Sequence, residues 1–421
     1  MRKSTIILTL ILVLISCKNE NEFVLQECST TVPELKKRSL QEVLDIAQNA
    51  TSLLGHKSRS AESRTIDLEN IQYVCTNKNS RSQSSDTLLY VVNYANDNGF
   101  AVVSANTSTT DLIAVTEKGN YNPTSESMHD NPGIDLFMDM AENYVLTTVG
   151  HELENQKSSV IKELIEVIDT TDVWIEPKLT THWGQTGYEG TFAPNGISGC
   201  VNTALAQIMA HYEYPVQLNL TYDYAPISVL NLDWPEIKKY KGVYYDMASN
   251  SAHEAIGYLL RQLGELTDSN YESPDGTFST SEAALTVLSE LGYTVSSNLV
   301  NYETRNFYSA LNNGKLIYMS GLQMSNNGET LGHAWVVDGY FERELHYLVW
   351  TKDINSPIRE LLDESYTYKR YNHINWGWDG DSNGYFLDDV FNAADAVQYD
   401  RIYNFMNYNF TINLKYFLIN K

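Results

Sequence analysis

From residue 88 the chain alternates apolar runs with turn formers. Leu88-Leu89-Tyr90-Val91-Val92-Asn93-Tyr94 is followed by Ala95-Asn96-Asp97-Asn98-Gly99 and then by Phe100-Ala101-Val102-Val103-Ser104. Aromatic and β-branched stretches on either side of an Asn/Asp/Gly cluster predict a β-hairpin. A third strand is predicted over Leu112 to Thr116. Upstream, Ser39-Leu40-Gln41-Glu42 has the capping-box pattern, and Leu40, Val43, Leu44 and Ala47 share one face of a helix reaching about Leu54. The Ser/Arg/Asn-rich stretch from Lys57 to Ser85 reads as loop with one extended piece at Ile71 to Val74. Helical spacing at Gly133 to Val149 and at Ser158 to Asp169 closes this half, and Asp169 to Glu176 reads as a linker.

After about Val173 the chain becomes rich in Gly, Tyr and Trp. Helices are predicted from Cys200 to about His211, ending before Pro215, and at Ala252 to Leu266 and Ser279 to Leu291. Strands follow at Lys315 to Met319, His333 to Asp338, Tyr340 to Trp350, Tyr371 to Trp376 and Gly384 to Leu387. Helices first and an antiparallel sheet after them is an α+β order.

The first 17 residues differ from both halves. Arg2 and Lys3 precede the apolar run Ile6 to Ile15, which is too short to span a bilayer and has the form of an export signal. Leu14-Ile15-Ser16-Cys17 has the pattern of a lipoprotein cleavage site, with Cys17 as the acylated residue. Residues 18–32 are polar and read as a tether. The expected location is the bacterial cell envelope, at the outer membrane or cell surface, with release of a mature secreted form as a further possibility.

The 421 residues suggest two domains, and 43% hydrophobic with 19% charged residues is a globular composition. A formal charge of −24, from 29 basic and 53 acidic residues, repels phosphate backbones and argues against a nucleic-acid partner. Four cysteines are present. Besides Cys17 there are Cys28 and Cys75, whose pairing in an exported protein stays open, and Cys200, which is left without a partner. His56, His129 and His151 lie in polar surroundings and read as surface residues.

Cys200 opens its helix, where Val201, Ala204, Leu205 and Ile208 form the buried face. There the helix dipole favours thiolate, and Gly199 leaves room for a substrate backbone. His333 follows Gly332 at a strand start, 133 residues downstream, a separation suited to a thiol–imidazole pair. Asn375, in His373-Ile374-Asn375-Trp376-Gly377-Trp378, offers a side-chain oxygen to an imidazole N–H, with Trp376 shielding that bond. Gln185, in Trp183-Gly184-Gln185, is a candidate oxyanion donor together with the Cys200 backbone N–H. The competing reading of each is structural: a core cysteine, a satisfied histidine, a strand with two core tryptophans, a polar loop glutamine. A thiol, an imidazole and a carboxamide in this order are the parts of a papain-type nucleophile.

Trp183-Gly184-Gln185, Gly199-Cys200-Val201-Asn202-Thr203-Ala204-Leu205-Ala206-Gln207-Ile208-Met209, Gly332-His333-Ala334-Trp335-Val336-Val337-Asp338-Gly339 and the segment His373 to Trp378 together resemble the streptopain family of bacterial cysteine peptidases. The hairpin Tyr90 to Ser104 is similar to that family's inhibitory propeptide. The resemblance implies a papain-like two-lobed peptidase domain (173–421) behind a small α+β propeptide domain (33–172), cleaved near the linker. It implies Cys200 as nucleophile, His333 as general base and acid, Asn375 and Trp376 as the pair supporting His333, and Gln185 as oxyanion donor. Proteins or peptides would be the substrates, with the chain's own propeptide as inhibitor, the membrane engaged through lipid on Cys17, and no cofactor.

One departure from the family is the 42-residue separation of His333 and Asn375, with Asp353 to Arg370 as an insertion expected to form a flap near the cleft. Asp379-Gly380-Asp381-Ser382-Asn383-Gly384 copies the opening of a calcium loop, but Val390 stands where the bidentate glutamate belongs, so a glycine-rich turn is favoured. No zinc motif occurs. The rival readings are another papain-fold acyl transfer, such as a transglutaminase or cell-wall amidase, and a catalytically idle surface protein.

Overall fold

The computed structural model describes residues 37–55, 64–75, 87–122, 131–155, 163–223, 225–273, 276–302, 304–324, 330–351, 361–392 and 412–421. The N-terminal half runs α1 (Leu40–Ala50), β1 (Ile66–Cys75), β2 (Thr87–Tyr94), β3 (Phe100–Ser104), β4 (Leu112–Thr116), α2 (Pro132–Asn155) and β5 (Glu163–Ile175). Next come α3 (Cys200–Tyr212), β6 (Gln217–Asn219), β7 (Val229–Asn231), α4 (Trp234–Ile237), α5 (Asn250–Leu266) and α6 (Ser281–Glu290). The chain continues with β8 (Thr294–Val295), β9 (Val300–Asn301), α7 (Thr304–Asn312), β10 (Leu316–Met324), β11 (Thr330–Thr351), β12 (Leu361–Asn375), β13 (Gly384–Leu387), α8 (Asp388–Asn392) and β14 (Ile412–Asn420).

The capping box forms as expected: the Ser39 hydroxyl accepts from Glu42 N–H and the Glu42 carboxylate accepts from Ser39 N–H. The predicted hairpin is β2–β3, with Asn96 and Asp97 both at positive φ in its turn. Its continuation β4 pairs antiparallel with β13 of the C-terminal half, Val115 opposite Tyr385. One sheet therefore runs β1-β2-β3-β4-β13-β12-β11-β10-β14-β8 through both halves.

The two faces of this sheet build two cores. On β11, Trp335 and Val337 belong to the core shared with α1, α2 and the N-terminal strands. Ala334 and Val336 belong to the other, packed against α3, α5 and α6. The alternation is the period-two pleat of a strand buried on both sides.

Three expectations change. Residues 163–169 are strand rather than helix, and the expected linker lies within that strand: β5 pairs antiparallel with β11 from Tyr340↔Ile175 to Thr351↔Glu163. Leu164-Ile165-Glu166-Val167-Ile168 is β-branched and apolar, and pairing with a neighbouring strand settles such a sequence as β. The described part of the insertion, residues 361–370, is strand rather than a flap at the cleft, and residues 353–360 lie outside the described residues. β11 and β12 continue as a paired ribbon to Trp350↔Leu361, about 36 Å beyond Gly339 at about 3.3 Å per residue and on the side of Gly339 opposite to His333. Separately, residues 379–383 form the turn between β12 and β13, with positive φ at Asp379, Gly380 and Ser382.

Cys75 is disulfide-bonded, and Cys200 is the free cysteine among the described residues. Cys17, Cys28, His56 and His129 lie outside the described residues, as does the His151 side chain. No helix among the described residues is long and apolar enough to cross a membrane.

Candidate active site

Helix α3 begins at Cys200 because Gly199 precedes it with φ +91°. A side chain there would be strained and would also meet the Thr277 carbonyl at 2.9 Å, so the approaching backbone in this structure is the protein's own. The half-buried Cys200 sulfur is faced by the N–H groups of Ala334, Val201 and Cys200 itself, which favour its anion. Burial pushes the thiol up, and those donors only partly offset it. The thiolate expected at this helix start is therefore not favoured here: the desolvation cost exceeds what the three N–H groups return.

His333 is the residue before Ala334, so the sulfur, carried by α3, and the imidazole, carried by β11, lie beside neighbouring residues of that strand. The ring is nevertheless turned to the other face. Its Nε2 donates to the Trp376 carbonyl at 2.7 Å, and Trp335, Trp376 and Trp378 surround it with centroids 6.0–6.3 Å away. Burial lowers it to about 4, against the carbonyl bond that favours the proton. A neutral imidazole and a neutral thiol make no ion pair.

Asn375 stands opposite Val336 in the β11–β12 register. Cross-strand partners share a face, so its carboxamide points to the α3 side while His333 points away from it. The expected hydrogen bond from Asn375 to the imidazole is consequently not made. Asn375 Oδ1 accepts from Gln207 Nε2 at 3.0 Å and from Gly377 N–H at 3.1 Å, and its Nδ2 donates to the Thr181 carbonyl at 2.9 Å. Its nearest influence on His333 is through the backbone, since it fixes the turn that presents the Trp376 carbonyl.

Gln207 was missed in the sequence. Fully buried on α3, it also accepts from Trp183 N–H at 3.1 Å and Thr181 Oγ1 at 3.1 Å. Its signal was the polar stripe Cys200, Thr203, Gln207 at i, i+3, i+7 along an otherwise apolar helix. Gln185 is buried, and its carbonyl accepts from Ser198 N–H at 2.8 Å and Ser198 Oγ at 3.2 Å, two residues before Cys200.

What holds the imidazole away from the thiol comes from the N-terminal half. Gly133, in the first turn of α2, lies flat against the ring: a Cβ there would be 2.6 Å from His333 Cδ2 and 2.4 Å from Trp376 Cε3. The Asn131 side chain caps that turn, its Oδ1 accepting from Gly133 N–H at 3.1 Å.

The two halves also meet electrostatically. His373 Nδ1 donates to Asp338 at 2.6 Å, and its Nε2 is 3.6 Å from Glu117 of the N-terminal half. Burial disfavours the charge, but Asp338 and then Glu117 overcome it and raise His373 to about 10. For a group raised from about 6.5, the stabilisation is complete below pH 6.5 and disappears as pH rises through 10. Neighbouring His182 and Tyr385 face the same pair without reversing it. The expected result is a full-length chain whose melting temperature falls from pH 6.5 to 10, and a His373→Gln variant in which that fall is smaller. Equal slopes by calorimetry would remove His373 as the cause.

Comparison with known proteins follows this division. Residues 183–386 match the Peptidase C10 family, and residues 36–145 match the Spi protease inhibitor family. Streptopain of Streptococcus pyogenes serotype M28 is 23% identical over 378 residues, covering 80% of this chain and 80% of the relative, and the serotype M1 protein gives the same values. Among solved structures, a fragment of Prevotella intermedia prointerpain A is 20% identical with a TM-score of 0.48, covering 83% of this chain and 98% of that one. Active wild-type interpain A cysteine protease from the same organism is 21% identical with a TM-score of 0.38, covering 59% and 94%.

Proposed function

Because this chain belongs to the Peptidase C10 family of cysteine endopeptidases and carries an inhibitor-type propeptide domain, we propose that it is an exported, lipid-anchored proenzyme. Its peptidase uses Cys200 as nucleophile and His333 as general base and acid. The carrying observation is the Gly133 wedge: the sulfur sits beside Ala334 N–H, and the ring one residue away is pinned to the Trp376 carbonyl under α2. Departure of α2 uncovers the ring and the Gly332-His333 end of β11, and a backbone rearrangement there, beyond side-chain torsions alone, brings the imidazole to the sulfur's face. It also opens the site to water, which lowers the thiol and raises the imidazole toward a thiolate–imidazolium pair.

In the reaction Cys200 Sγ attacks the peptide carbonyl, and His333 gives its proton to the leaving amine. Water then adds to the thioester with His333 as base, regenerating the thiol. Both tetrahedral states place negative charge on oxygen, which Gln185 and the Cys200 backbone N–H receive. Asn375 supports His333 through the Gly377 turn and Gln207, and Trp376 supplies both the carbonyl and part of the apolar wall. Maturation requires cutting near β5. Because β5 is hydrogen-bonded to β11, the strand must peel away before any peptidase can bind it.

Export and anchoring rest on the basic start, the apolar run and Cys17, all outside the described residues. The catalytic reading is tested by letting the full-length chain mature and treating the product with a peptidyl epoxide. Covalent labelling of Cys200, on a fragment beginning near Val173, is expected. Incorporation of a primary amine into glutamine instead, without peptide-bond cleavage, would turn the assignment to a transferase on the same fold.

A further inference from the structure

A buried carboxylate lies behind the oxyanion loop. Glu189 is 1% exposed, and its Oε1 accepts the Gly184 N–H at 3.0 Å while its Oε2 accepts the Tyr240 hydroxyl at 3.1 Å. Both oxygens are used, on two segments more than 50 residues apart in sequence. The Gly184 carbonyl in turn accepts from Thr203 Oγ1 of α3 at 3.0 Å. The peptide units on both sides of Gly184 are thus held, one by Glu189 and one by the helix that carries Cys200. The next residue is Gln185.

The far side of Gly184 is closed as well. A Cβ on this glycine would stand 2.4 Å from Asp379 Oδ2, so the chain is clasped between two carboxyl groups. Burial, with the Asp379 charge adding to it, lifts the Glu189 carboxyl to about 7. An apolar side chain at 189 would leave the Gly184 N–H and the Tyr240 hydroxyl without acceptors in a buried place.

We propose that Glu189 is a positioning residue for peptide hydrolysis, fixing the Gly184 peptide so that the Gln185 side chain is presented to the oxyanion beside Cys200. It touches neither substrate nor sulfur and acts through the loop. The proposal rests on the assignment of Gln185 as oxyanion donor, which the same experiment examines separately. An oxyanion donor works only where the charge develops, and a loop free to shift by about 1 Å loses much of that stabilisation. Such a loss appears in kcat and leaves ground-state binding nearly untouched.

The experiment compares peptide hydrolysis by the matured enzyme with that of Glu189→Ala, Glu189→Gln, Gln185→Ala and the double Ala variant. Each is produced as the full-length chain and, where self-processing is slow, cleaved in trans by wild-type enzyme. Gln185→Ala is expected to lower kcat by about 10²- to 10³-fold. Glu189→Ala is expected to lower it by about 10- to 100-fold with KM changed less than about threefold. Glu189→Gln keeps an oxygen for Gly184 N–H and can donate to the Tyr240 oxygen, so kcat should stay within about threefold of wild type. The double variant should be no slower than Gln185→Ala, since the brace has nothing left to position.

If Gln185→Ala lowers kcat while Glu189→Ala does not, the brace is refuted and the oxyanion assignment stands. If Gln185→Ala is itself without effect, the assignment and the inference built on it both fall. Fully multiplicative losses in the double variant would also overturn the inference. Should Glu189→Ala fail to fold, Glu189→Asp keeps a carboxyl group but shortens the reach, and is expected to show the same fall in kcat at unchanged KM. Wild-type kcat in that variant would refute the brace.

Discussion

Cys200→Ala should give a full-length chain that neither shortens on incubation nor cleaves casein. The expected fall in kcat/KM is on the order of 10⁴ or more, because the covalent route disappears with the sulfur and the remaining groups only bind and polarise. The change removes one atom from a half-buried site at a helix start, where Ala is well tolerated, so the fold should survive. Added wild-type enzyme should still cut the variant, since its propeptide junction is unaltered. Shortening at the wild-type rate without added enzyme would show that a contaminating peptidase, and not this thiol, performs the maturation.

The second large effect is expected from the opposite direction. Gly133→Leu puts a branched side chain where even a Cβ falls 2.4 Å from Trp376 and 2.6 Å from His333. Trp376 and Trp335 are fully buried and cannot withdraw, so the first turn of α2 must lift instead. Overpacking of this kind costs about 1–3 kcal/mol, which raises the undocked fraction about 5- to 150-fold. Maturation of the full-length chain should accelerate by a comparable factor. A product cut near β5, as proposed, lacks residue 133 and should be indistinguishable from wild type. An unchanged maturation rate, followed by gel densitometry, would mean that the α2 wedge does not control latency.

These two variants bear on the same feature, a dyad whose members lie at neighbouring points of one structure but on opposite faces of a sheet. The local sequence made much of this legible. The Ser39 capping box, the β2–β3 hairpin, the start of α3 at Cys200 and the end of that helix before Pro215 are short-range properties, and each formed where the pattern indicated. Where a segment's state depended on a distant partner, the pattern misled. Residues 163–169 have helical spacing but β-branched side chains, and pairing with β11 decided for strand.

The candidate site divides in the same way. Residue type, order and the family resemblance nominated Cys200, His333, Asn375, Trp376 and Gln185 as candidates, because nucleophilic catalysis draws on few side chains. Which of them touch was set by register and pleat, and neither is written in any single segment. Val336 opposite Asn375 puts that carboxamide on the α3 face, while His333, three residues before Val336, takes the other. Gln207 and Glu189 went unnoticed for a related reason: a buried polar residue becomes conspicuous only when the groups it satisfies are brought to it. The sequence by itself determined which residue types are available for the proposed chemistry and the local elements that hold them, because both are short-range properties. The tertiary structure alone decided where the imidazole lies, since only packing of α2 across β11 places Gly133 against His333 and only the pleat puts that ring on the face away from Cys200.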